Sequence, residues 1–224
     1  MAAKRKVRIG VDFLMVAMLP MLMVYALIGE DIHEWFGGVM FLLFISHHLL
    51  NLQWFRAFVK GRYTPFRILL TLVNVLLLLI MLALMVSGVT LSQYLFDIQI
   101  SFIRKWQSVA RKIHLVSSYW GFVIMSFHAG LHGAMVLKLI KWSVKNGTMI
   151  LGGVAAIISV YGIYAFRSRN MAEYMLLKTR YVFFDFNEPL IRFMMDYVSV
   201  MLLFALIGYH AGKILSGGFR RKQK

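Results

Sequence analysis

Long apolar runs separated by short basic segments set the pattern of this chain. Six of them lie near 10–29, 32–55, 67–88, 112–138, 148–166 and 189–212. Each is close to the ~20 residues an α-helix needs to cross the ~30 Å hydrocarbon layer of a bilayer, so each predicts a membrane-spanning helix. The third, with the core ILLTLVNVLLLLIMLALMV, is the cleanest. Pro20 predicts a kink in the first. Arg192 and Asp196 stand four apart near the start of the sixth, a spacing that lets them pair on one helix face. SFIRKWQSVARKI, ahead of the fourth run, reads as a basic amphipathic helix leading into that span. There is no internal repeat and no low-complexity segment. The expected fold is all-α: one domain over 1–224, a polytopic transmembrane helix bundle of about six spans.

Composition supports this class. Hydrophobic residues make up 60% of the chain and charged ones 15%, against about 45–50% and about 25% in a soluble domain. The run after KRKVR has a span's length and no small-residue cleavage site after it, so it reads as a retained helix rather than a signal peptide. The absence of cysteine excludes disulfides, iron–sulfur ligation by cysteine and covalent haem attachment through C-x-x-C-H. A net charge of +16 would suggest nucleic acid in a soluble protein. Here the basic residues are split among short loops at helix ends, and no nucleic-acid partner is expected. With the N-terminus inside, the inner segments hold 16 Lys and Arg and the outer ones 9. That excess predicts an N-in, C-in topology.

Histidine spacing brings chemistry into the picture. His33 and His47 are 14 residues apart in the second run, and His114 and His128 are 14 apart in the fourth. On a helix that is close to four turns, roughly 21 Å, with the second residue only about 40° off the face of the first. The second and fourth spans run in the same direction, so His33 matches His114 in depth near the outer face, and His47 matches His128 near the inner face. Ionisable side chains inside a bilayer point to a functional site. Neutral imidazole donates a lone pair to haem iron, and two of them fill both axial positions. The pattern therefore predicts two stacked bis-histidine sites for two b haems. Gly37, one turn after His33, and Gly121, two turns after His114, would let a flat macrocycle approach the backbone, or else serve helix packing. Arg111, with Arg104 and Lys112, is placed for the propionates of an outer haem; Arg56, Arg67, Lys138 and Lys141 could serve an inner one.

His48 is rotated by about 100° from His47. His132 shares a face with His128 and competes with it as inner ligand; the equal spacing favours His128. His210 is expected at the inner interface. A second reading makes His47, His48, His128 and His132 the ligands of a non-haem di-iron or zinc enzyme, although no carboxylate lies nearby in either stretch. A third makes the histidines and the Arg192/Asp196 pair relays of an ion or proton transporter. SGVT at Ser87–Thr90 is similar to the S-G-A-T-type sequence that receives covalent FMN, but departs at Val89 and lacks an upstream acidic residue. It reads as a helix end, and FMN is not expected.

HEWFGG, HHLLNLQWF, SGVTLSQYLF, HLVSSYWGFVIMSFHAGLHG, YGIYAF and FDFNEPLIRFMMDYVSV, from the second span to the last, resemble a bacterial family of integral-membrane b-type cytochromes catalogued as a domain of unknown function. That family is itself similar to the gamma subunit of formate dehydrogenase. The resemblance implies that His33, His47, His114 and His128 are haem ligands in a multi-pass protein of the bacterial cytoplasmic membrane. It implies an oxidoreductase subunit that carries electrons between quinol or quinone and an extracytoplasmic flavoprotein or cytochrome, with membrane lipid as its surround.

Overall fold

A computed structural model describes residues 2–58, 60–96, 101–135 and 148–221, with side chains at 4–58, 60–96, 105–135 and 153–216. The expected Lys138 and Lys141 contacts, the Arg104 side chain and the end of the fourth run lie outside the described residues. Within them the protein is helical, with no strand. The six long helices are α1 (Ala2–Met23), α2 (Glu30–Leu50), α3 (Pro65–Leu91), α4 (Ser101–Leu131), α5 (Thr148–Ser168) and α6 (Leu190–Arg221). Among the described residues, two are long and apolar enough to cross a membrane by length and composition, Pro65–Leu91 and Leu190–Ser216, and Gly153–Ser168 is a shorter apolar segment.

Local chemistry sets the boundaries. α3 starts where Thr64 accepts a hydrogen bond from the Arg67 N–H at 3.2 Å with Pro65 in the first turn, an N-cap followed by the position proline tolerates best. Glu30 and Asp31 open α2, where acidic side chains favour the positive helix end. The chain enters that helix through Gly29 at φ +96°, a conformation that suits glycine. The first helix ends in a break at Val24, four residues past Pro20, followed by a short helix Tyr25–Ile28. SFIRKWQSVARKI is not a separate surface helix. It is continuous with the fourth run in one helix of 31 residues, about 46 Å long at 1.5 Å per residue.

The packing has a body and a flap. α4 packs on α3 and α6, and α5 packs on α6. The α4–α6 crossing is tight: a Cβ on Gly130 would sit 2.0 Å from the Ala205 carbonyl oxygen, and one on Gly208 2.1 Å from that of Phe127. Small residues allow this backbone approach. α1 and α2 form a hairpin that touches the α3–α6 body more lightly, and the backbones of α2 and α4 do not pack on one another directly. Side chains lie between them, His33 and His114 among these.

At the Arg169 end, a charged cluster closes the body. Arg169 bonds Glu188 at 2.5 and 2.6 Å and Asp196 at 2.8 Å, and Asp196 also accepts from Tyr161 at 2.6 Å. Burial opposes the charge on Arg169, but its hydrogen bonds and the two carboxylates outweigh burial and raise its pKa. This corrects the expected Arg192–Asp196 pair. Asp196 is engaged by Arg169 and Tyr161, while exposed Arg192 turns to Glu188 at 3.5 Å.

Candidate cofactor site

The four spaced histidines fall into two groups, at the two ends of α2 and at the middle and C-terminal end of α4. At one end the His33 and His114 ring centres are 6.2 Å apart with planes at 77°. At the other, His47, His128 and His132 are near enough to interact electrostatically, with Asp12 of α1 among them. This pairing requires α2 and α4 to run in the same direction.

The His33–His114 geometry suits a shared metal. With metal–imidazole bonds of about 2.0–2.1 Å and about 1.1 Å from ring nitrogen to ring centre, a bis-imidazole site places its ring centres roughly 6.3 Å apart. Nδ1 of His114 lies 3.1 Å from Ser87 Oγ, and that hydroxyl donates its own hydrogen to the Ala83 carbonyl at 2.6 Å. Ser87 is thus an acceptor toward His114. The ring hydrogen sits on Nδ1, and Nε2 keeps its lone pair for a ligand bond. Gly88, the next residue, leaves room for the ring: a Cβ there would touch His114 Cε1 at 3.6 Å. Nδ1 of His33 is buried without a hydrogen-bond partner.

Glu34 sets the position of His33. Its carboxylate accepts from Ser92 Oγ at 2.7 Å and from the backbone N–H groups of Gln93, Tyr94 and Leu95 at 2.8–3.0 Å. That grip ties the first turn of α2 to the chain leaving α3. Tyr25 stacks edge-on to His33 with centres 5.7 Å apart, and Arg111, exposed on α4, is close enough to Tyr25 to act on its charge. Beyond Tyr25, the Phe184, Phe193 and Tyr197 rings follow at 5.0, 6.0 and 4.4 Å. They border a cavity of about 380 Å³.

The second group differs in detail. His47 Nδ1 is 2.7 Å from Asp12 Oδ1, and Arg8, one turn before Asp12, donates to the Leu50 carbonyl at 2.8 Å. No carboxylate lies in either histidine stretch, but Asp12 of α1 approaches His47 from another helix. Asn74 of α3 lies 3.1 Å from His128 Nδ1. When its amide is turned to satisfy Leu70 O and Trp54 Nε1, its NH₂ faces that nitrogen, which then accepts and leaves the hydrogen on Nε2. Ligation through Nε2 needs the amide reversed, with its oxygen accepting from Nδ1–H. His132 lies in a turn just past the last residue of α4, with its ring centre 4.8 Å from that of His128. His48 bonds the Phe44 carbonyl at 2.9 Å and packs on the Phe44 ring. His210 is exposed near the end of α6. Among the described residues, no three of His, Asp and Glu converge in a geometry that would hold a bare metal ion.

The two glycines separate. A Cβ on Gly37 would meet nothing within 4 Å, whereas one on Gly121 would sit 3.1 Å from Ile80 and 3.5 Å from Leu84. Gly37 leaves open space one turn from His33; Gly121 serves the α3–α4 contact. Sequence reasoning missed Ser87, Asn74, Asp12 and Glu34. A signal existed for the first two: they are polar positions 13 apart in the most apolar run, nearly the histidine spacing on α4. The chain matches no family model, no curated protein and no solved structure.

Proposed function

We propose that the chain is a six-span electron-transfer protein of the bacterial cytoplasmic membrane, holding two b haems, one through His33 and His114 and one through His47 and His128. Its electrons would pass between the quinol or quinone pool and an extracytoplasmic flavoprotein or cytochrome. The observation that carries the reading is the His33–His114 pair, 6.2 Å between ring centres with the His114 tautomer set by Ser87. The family resemblance and the equal spacing of the second pair support it.

When bound, a bis-imidazole haem supplies reversible one-electron chemistry with no open position for oxygen. The residues of this chain hold and orient. Ser87 accepts the His114 Nδ1 hydrogen and so leaves Nε2 for a ligand bond. Glu34 pins the turn that carries His33, and the open space at Gly37 leaves room for a macrocycle beside α2. Arg111 places positive charge where propionates would emerge. Asp12 holds His47 in the tautomer that frees Nε2.

Oxidised and dithionite-reduced absorption spectra of the purified protein test this. Expected are b-type α and Soret bands with about two haems per chain, as four axial ligands require. A colourless protein holding stoichiometric zinc or iron without porphyrin would move the assignment to the histidine-cluster enzyme. Topology is tested by reporter fusions. Fusions after Lys60 and Lys145 are expected to read cytoplasmic and fusions within 97–110 external. A cytoplasmic signal from 97–110 would exchange the faces on which the two pairs lie.

A further inference from the structure

The two pairs carry different partners behind their imidazoles, and we infer that Asp12 is a positioning residue that makes the His47 end the lower-potential site, so that electrons run from the His47 end to the His33–His114 end. The inference rests on the haem reading above and adds a direction to it. Asp12 Oδ1 lies 2.7 Å from His47 Nδ1, the length of a charge-assisted bond. A carboxylate on the far nitrogen pushes electron density into the ring and makes it a more basic ligand. A more basic ligand favours the ferric state over the ferrous.

None of the other three imidazoles has such a partner. His114 faces the neutral Ser87 hydroxyl at 3.1 Å, His128 the neutral Asn74 amide, and His33 Nδ1 has no bond. Other charges stand near both ends, Glu30 and Glu34 near His33 and Arg8 near the other group, but among the described residues none of these bonds an imidazole. Glu34, next to His33, is acidic, but four donors take up its carboxylate. Arg111 adds positive charge at the His33–His114 end, which favours the reduced state there. At the other end Arg8 donates to the Leu50 carbonyl, and no ion pair joins it to Asp12 among the described residues. With a haem held at each end, one electron would pass from the His47 site to the His33–His114 site, with no proton or bond exchanged.

A redox titration followed in the α band, on the full chain in detergent, provides the test. Wild-type protein should titrate in two separate steps. Asp12→Asn keeps an oxygen acceptor but removes the charge. It should keep both haems and move the lower step upward by at least tenfold in the reduction equilibrium, 59 mV for a one-electron couple. The upper step should stay in place, and Asp12→Glu should restore much of the original value. No shift, a shift of the upper step, or loss of the haem in Asp12→Asn would overturn the assignment. A second measurement does not depend on that variant. The single haem left in His114→Ala should titrate at the lower potential and the one left in His47→Ala at the higher; the reverse order overturns the proposal. Failure of the underlying reading is separately visible, because the wild-type spectrum would then lack haem.

Discussion

In His114→Ala, one of the two haems is expected to be lost while the other keeps its spectrum, and His33→Ala should behave the same way. On the proposed reading the two rings hold one haem between them, so removing either would remove half its axial ligation. His47→Ala and His128→Ala should each delete the other haem. His48→Ala should retain both, since His48 bonds its own helix at Phe44. His132→Ala should retain both as well, because the equal 14-residue spacing assigns the inner site to His128. Pyridine haemochrome content across these six variants decides the ligand set. Loss of one haem in His132→Ala, with two kept in His128→Ala, would reassign the inner ligand. Ser87→Ala is the graded member of the series: an outer partner of a ligating histidine is typically worth 10–100-fold in affinity, so the haem should load but dissociate more readily.

Arg169→Ala is expected to have the largest effect on stability. Its side chain is 18% exposed, and the carboxylates it joins are 9% and 6% exposed at Glu188 and Asp196. Deleting the cation leaves two buried negative charges facing one another, and breaking a buried pair in this way costs roughly 3–5 kcal/mol. Arg169→Lys should recover only part of this, because a single ammonium cannot reproduce the fork that bonds both carboxylates. Unfolding followed by circular dichroism in detergent measures both variants. An Arg169→Ala protein that unfolds with the wild type would show that the cluster adds nothing to the fold. Arg192→Ala, removing an exposed partner of Glu188, should change little.

The spaced histidines were legible in the sequence because helical periodicity alone relates them: 14 residues on one helix fixes both distance and face. The run at 65–91 was legible for the same reason, and its polar exceptions at Asn74 and Ser87 fall opposite His128 and His114. Asp12 was not legible. It lies 35 positions from His47, and nothing local says which helix will pass beside that ring. Glu34 and Arg169 share this property, since their partners are set by how loops fold over helix ends. The Arg192–Asp196 expectation failed because a spacing of four licenses a pair without choosing it, and a better donor arrived from the end of α5. Gly121 was ambiguous because glycine serves both close packing and cofactor approach; only the Ile80 and Leu84 side chains beside it decide.

The lightly packed seam between the α1–α2 hairpin and the α3–α6 body has a consequence for how the protein is assembled. Each candidate ligand pair takes one histidine from the hairpin and one from the body, so every coordination bond would cross that seam. A cofactor bound there acts as a rivet: its binding free energy becomes adhesion between the two halves. On the proposed reading, the hairpin would be held shut by the cofactor it encloses.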